Sequence, residues 1–147
     1  MLFRSTQVWT VVVADPRDRS RAVLELDLSH SPWARRGSVS TSGNSERGVV
    51  VDGTMVSHII DPRTGIPTGV NGSTTVLAES AFWADCLSTG LYVLGAAEAH
   101  TIVSARPATG LVSVQPTNGR LLVTISVNLA RSVIWAAADV DMRVAEP

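Results

Sequence analysis

His58-Ile59-Ile60-Asp61-Pro62-Arg63-Thr64-Gly65 places an imidazole, a carboxylate, a guanidinium and a hydroxyl in one octapeptide. An imidazole titrates near neutrality and suits proton removal from an attacking group. A second set lies downstream, where Asp85 and Thr89 are four residues apart. In a helix that spacing stacks a carboxylate and a hydroxyl on one face, a pairing that a hard cation such as Mg²⁺ uses together with water and phosphate oxygens. Each set also has a plain structural reading, a surface hairpin with an Asp-Pro turn and a solvated helix face.

The elements that must position these groups can be read from period and turn chemistry. Met55 to Ile60 is rich in β-branched residues and reads as the tail of a strand. Pro62 biases Asp61 towards an extended conformation, which puts Asp61 at a strand end. Val49–Val51, Asp52-Gly53 and Met55–Ile60 form a hairpin signal. From Glu79 to Leu94 the period lengthens: Trp83, Leu87, Leu91 and Leu94 follow at spacings of four, four and three, the buried stripe of a helix ending at Gly95. Asp85, Ser88, Thr89 and Tyr92 then stand on a different face.

Upstream, Val8–Val13 reads as a strand entering the turn at Asp15-Pro16-Arg17-Asp18. Ala22–Leu28 follows as a half-buried strand with Leu24, Leu26 and Leu28 on its inner face. A loop holds Pro32 and Arg35-Arg36, and a short strand begins at Ser38. Ser73–Leu77 is a further strand, and Ala96–Ala105 a short helix stopped by Pro107. Gly110–Val114 and Arg120–Ile125 form a last hairpin. Val127–Ala138 fits either a helix or an added strand. The predicted fold is α+β, a mainly antiparallel sheet with a helical layer on one face.

At 147 residues and 45% hydrophobic, the chain has the size of one domain, 1–147, and can bury a core. A net charge of −1, with all twelve basic residues arginine and scattered, gives no footprint for nucleic acid. Cys86 is the only cysteine, so no disulfide can form within the chain; it reads as a small buried hydrophobe. His30 and His100 read as solvated histidines. The four tryptophans read as core or contact residues. Met1–Thr10 is too short and polar for a signal peptide, and no apolar run reaches the roughly 18 residues of a spanning helix. The expected location is cytoplasmic, although a longer parent could be exported.

Taken together, the octapeptide and Ala84-Asp85-Cys86-Leu87-Ser88-Thr89 resemble the ApbE family of FAD:protein FMN transferases in order, residue type and spacing. The resemblance extends upstream to Ala14-Asp15-Pro16-Arg17 and to Ser40-Thr41-Ser42-Gly43, which looks like the family's loop before the histidine strand. Downstream it continues through Leu91-Tyr92-Val93-Leu94-Gly95 to the hairpin near Gly119. It covers roughly residues 8–125 and leaves 126–147 unassigned. Asn44 and Ser45 depart from the family's Ser-Gly-Asp-aromatic pattern; Asn71-Gly72-Ser73-Thr74-Thr75 is faintly similar to a flavin-acceptor site but reads first as a plain loop entering a strand.

The resemblance implies Mg²⁺-dependent cleavage of the FAD pyrophosphate and transfer of FMN to a threonine or serine of an acceptor flavoprotein, with AMP released. It implies Asp85 and Thr89, with Ser88, as metal ligands and His58 as the base. It also implies Ile59, Asp61, Thr64, Gly65, Ser42 and Gly43 as nucleotide-binding positions. The family's first half, with its D-x-G-[AG]-x-A-K-G-like stretch, has no counterpart here, and the chain contains no lysine. The expected chain is therefore a carboxy-terminal half. It would be completed by a second chain, or be a flavin- or partner-binding remnant without turnover.

Overall fold

Valine- and leucine-rich runs of period two build two sheets, and a single stretch of helical period covers one of them. The computed structural model describes residues 9–43, 48–69 and 72–146. Asn44, Ser45 and Asn71 lie outside the described residues, as does the chain before Trp9.

In order the elements are β1 (Thr10–Asp15), β2 (Asp18–Asp27), β3 (Ser38–Gly43), β4 (Val49–Val51), β5 (Thr54–Val56), β6 (Ile60–Asp61), β7 (Ile66–Pro67) and β8 (Ser73–Ala78). Helices α1 (Ala81–Leu94) and α2 (Ala96–Ser104) follow, then β9 (Gly110–Thr117) and β10 (Arg120–Ile125). A 3₁₀ turn over Val127–Ser132 leads to β11 (Val133–Ala136) and β12 (Val140–Val144). The tail left open between helix and strand is thus a 3₁₀ turn and then strands.

The larger sheet has the order β12-β10-β9-β8-β3, antiparallel except for the β10–β12 pair. The smaller has the order β1-β2-β11 and is antiparallel throughout. One core joins the two sheets, with Val13, Leu24, Leu26 and Trp33 against Leu77, Val112, Val114 and Ile125. On the far face of the larger sheet, Val76, Ala78 and Leu111 pack against Ala84 and Leu91 of α1 and Ala99 and Val103 of α2. The fold is α+β with the expected helical layer, and the second sheet makes a third layer. Strand β8 is buried along its whole length because both of its faces are covered. Burial of each such aliphatic side chain stabilises the fold by roughly 1.5–3 kcal/mol.

Some expectations from periodicity are corrected. The buried stripe of α1 is Ala84, Ser88, Leu91 and Tyr92, while Trp83 is 57% exposed. The helix rests on the sheet through the small residues Ala84 and Ser88, which let it lie close, and the larger Trp83 turns outward to meet Phe82 edge-on at 5.4 Å. Cys86 is exposed, and His100 is buried. Trp33 is the core tryptophan, its Nε1 donating to the Ala108 carbonyl at 3.1 Å, whereas Trp135 is substantially exposed. Among the described residues, no helix is long and apolar enough to cross a membrane.

Candidate functional site

Strand β3 is an edge strand of the larger sheet, and α1 lies beside it. Alternation along β3 sends Ser40 and Ser42 to the helix side, while Thr41 meets the Thr75 hydroxyl at 2.8 Å. Ser40 Oγ donates to Asp85 Oδ1 at 3.0 Å. Ser42 Oγ lies 2.9 Å from both Ser88 Oγ and Thr89 Oγ1. Ser88 is fully buried, and its hydroxyl donates to the Asp85 carbonyl at 2.9 Å. The result is one strip of oxygen donors with Asp85 and Thr89 at its exposed edge and Ser88 beneath. The short strand read from Ser38 to Thr41 is present and runs on through Ser42 and Gly43, so the stretch that looks like the family's loop is strand here, with all four residues of Ser40-Thr41-Ser42-Gly43 paired in register with β8.

The His58 octapeptide is not a continuation of β5. Strand β5 ends at Val56, and His58 sits exposed at a bend before the two-residue strand β6. Ser57 causes the break: its buried hydroxyl accepts from the Ile59 amide at 3.0 Å and meets the Thr68 hydroxyl at 3.0 Å, diverting the backbone from ladder pairing. Ile59 is buried, and its carbonyl accepts from the Thr68 amide at 2.8 Å. Asp61 stands at a strand end as expected, and its carbonyl accepts from the Gly65 amide at 2.8 Å. Gly65 closes that turn at φ 70°, a conformation that suits glycine.

Asp61 and Arg63 form a self-contained unit. The Arg63 amide donates to Asp61 Oδ1 at 2.9 Å, and the guanidinium grips both carboxylate oxygens. The side-chain and then the backbone bonds from Arg63 hold the Asp61 carboxyl below its usual range. The same geometry recurs in Asp15-Pro16-Arg17, where the amide bond is 2.8 Å and the guanidinium bonds are 3.0 and 2.9 Å. Asp15 is buried and also bound by Arg21, so this earlier copy is structural, tying β1 to β2.

A cleft of about 370 Å³ separates the octapeptide loop from the sheet. Asp61, Thr64 and Thr68 line it, with Ser73 and Thr74 of β8, Tyr92 of α1 and Ser113 of β9. Tyr92 is the link between the two candidate regions. Its hydroxyl donates to the Gly69 carbonyl at 3.0 Å, so the helix that carries Asp85 and Thr89 also holds the loop that follows His58.

The expected residues thus form two neighbouring groups: Ser42, Asp85, Ser88 and Thr89 in one hydrogen-bonded strip, and Asp61 and Thr64 on the cleft wall. His58, Ile59 and Gly65 belong to the loop but do not line the cleft, and Gly43 ends β3. Among the described residues, no group of three His, Cys, Asp or Glu side chains converges as a metal cluster. Asp85 with neighbouring hydroxyls remains a donor set of hard oxygens, which fits a cation that retains waters and takes other oxygens from a phosphorylated ligand. Ser40, Ser57 and Tyr92 make contacts that shape the site and lie outside the motifs' expected ligand and base positions. For Ser40 the period-two alternation with Ser42 was the available signal.

A family model described as the ApbE family matches residues 4–112. The FAD:protein FMN transferase of Salmonella typhimurium is 40% identical over 99 residues, covering 66% of this chain and 27% of that protein. Its counterpart in Vibrio cholerae is 33% identical over 114 residues, covering 76% and 32%. Among solved structures, the flavin transferase ApbE from Vibrio cholerae superposes with a TM-score of 0.63 at 27% identity, over 89% of this chain and 40% of that one. The ApbE protein of Thermotoga maritima gives 0.59 at 36% identity, over 74% and 33%. The matched stretch spans between 27% and 32% of these two curated relatives.

Proposed function

The chain belongs to the ApbE family, and from that premise we propose that it carries the metal-binding and acceptor-activating part of an FAD:protein FMN transferase. The observation that carries this reading is the sharing of α1. One face of the helix joins Asp85 and Thr89 to β3, and Tyr92, three residues on, holds the loop that follows His58.

Asp85 and Thr89 would hold Mg²⁺, with buried Ser88 fixing their backbone and the hydroxyl of Ser42. When bound, the ion supplies charge neutralisation at the pyrophosphate, the main demand of phosphoryl transfer. Asp61 and Thr64 on the cleft wall form the surface against which the nucleotide rests, Ile59 and Gly65 hold the loop that carries them, and Ser42 and Gly43 stand at the end of β3. Asp61, already neutralised by Arg63, shapes that loop without repelling phosphate. His58, exposed at its bend, takes the proton from the acceptor's threonine or serine hydroxyl. The hydroxyl oxygen bonds to the phosphorus of the FMN half, the phosphoanhydride bond breaks, and AMP leaves.

The test is incubation with FAD, Mg²⁺ and a candidate acceptor flavoprotein, reading covalent flavin and free AMP, with His58→Ala beside the parent chain. Equal AMP and bound flavin, lost in the variant, support the reading. A second reading, a flavin- or partner-binding module without turnover, draws support from the position of His58 outside the lining of the cleft. Flavin binding with no AMP release would select it.

A further inference from the structure

Strands β4 and β5 pair with each other and, among the described residues, with no other strand. Asp52-Gly53 closes the hairpin between them, both residues at positive φ. A lone two-stranded hairpin is marginal in water, and its outer edges offer unpaired N–H and C=O groups to any extended chain. Folded proteins blunt such edges with charge, proline or a cover. Neither β4 nor β5 holds a charged residue or a proline.

The hairpin is apolar on both faces. Val50 stands opposite Met55, and the two are 62% and 47% exposed; Val49 and Val51, on the other face, are 59% and 50% exposed. Together they form a patch rather than scattered surface hydrophobes. Beyond His58 the second small hairpin, β6–β7, also exposes Ile60 and Ile66. His58 thus stands, exposed, at the bend between two apolar hairpins.

Position indicates what would cover the first of them. Strand β5 ends at Val56, two residues before His58, so a chain laid beside β5 runs on past the imidazole. The base requires such a chain, because the hydroxyl it serves belongs to a polypeptide. From Gly48 to Ser57 only Asp52 is charged, which favours recognition by main-chain hydrogen bonds and alternate apolar side chains over charge pairing. We propose that the β4–β5 hairpin is an acceptor-docking arm: an extended acceptor segment, apolar at alternate positions, adds as a third strand along β5 and so delivers its threonine or serine to His58. This rests on the reading of His58 as the base for an acceptor hydroxyl, but on neither the metal nor FAD.

The probe is a fluorescently labelled peptide in which one threonine is flanked by alternating valine and serine, titrated into the chain without FAD or Mg²⁺. Binding is expected, with slowed hydrogen exchange at β5 amides, little response to added salt and a several-fold weakening in Met55→Glu. Val12→Glu, at an exposed valine of the smaller sheet, should leave it unchanged. The same peptide with proline in place of serine lacks the N–H donors and should not bind, a comparison made on the parent chain alone. No binding, equal binding of the proline peptide, or an unchanged affinity in Met55→Glu would each overturn the proposal. So would a peptide-free dimer that Met55→Glu dissolves, since a second copy would then be the occupant. Flavin transfer to an acceptor flavoprotein that Met55→Glu leaves unchanged would sink this inference and leave the transferase reading intact. Peptide binding along β5 without any release of AMP from FAD would do the reverse.

Discussion

Ser40 Oγ on β3 donates to Asp85 Oδ1 on α1 at 3.0 Å, tying an edge strand of the larger sheet to the acidic residue of the candidate metal site. The contact is exposed and orients the carboxylate, whereas Ser88 below it is fully buried. Ser40→Ala is expected to lower Mg²⁺-dependent FAD affinity several-fold while changing stability by less than about 0.5 kcal/mol. Ser88→Val removes a buried donor to the Asp85 carbonyl and one of the two hydroxyl partners of Ser42, so a loss of about 1–3 kcal/mol is expected in denaturant melts. Equal effects of the two substitutions on stability would contradict this division.

The two Asp-Pro-Arg turns share one geometry and are expected to respond differently. Arg17→Ala leaves the Asp15 carboxylate, 3% exposed, with Arg21 as its remaining cation, and should lower Tm without altering FAD affinity. Arg63→Ala leaves Asp61 partly solvated and facing the cleft, so its stability cost should be the smaller and its cost in FAD binding the larger. Thermal melts and titrations of the pair decide the matter.

Acid should act in two windows. The Arg17 guanidinium, then the Arg17 amide and Arg21, hold Asp15 at about 2 against partial desolvation. Because the folded value lies below the ordinary 3.8, this stability is present above 3.8 and lost as pH falls through about 2. With Arg17 partly in solvent, its size is on the order of 1–2 kcal/mol. His100 is also depressed, but as a base: its neutral form is favoured in the fold, so stability declines as pH drops below 6.5. Tm between pH 8 and 5 should fall less steeply in His100→Gln than in the parent chain, and Asp15→Asn should flatten the profile below pH 4.

Gly72 is expected to be intolerant. Alanine there meets both an unfavourable positive φ and the Val114 carbonyl, so Gly72→Ala should destabilise the chain by more than about 2 kcal/mol. Gly53→Ala is the control, since it shares a positive φ but meets open space. Its loss should be the smaller.

Much of this was legible in the sequence because it is local. The Asp52-Gly53 and Asn118-Gly119 turns, the end of α1 at Gly95 and the strand-end position of Asp61 follow from turn chemistry and period. What was not legible depends on tertiary contact. Helical period alone favoured Trp83 as buried, but the sheet selects the face with Ala84 and Ser88 because small residues permit close approach. β-propensity extended the strand to Ile60, but the Ser57 hydroxyl captures the Ile59 amide and bends the chain at His58. The pairing of His100 with Ser113 needs two elements thirteen residues apart to be brought together, which no local pattern announces.

The most direct test of the account is isothermal titration of the purified chain with FAD, with and without Mg²⁺, alongside Asp85→Ala. The account predicts binding that requires the metal and is lost in the variant while the fold is retained. Binding that is indifferent to Mg²⁺ and unchanged in Asp85→Ala would contradict it.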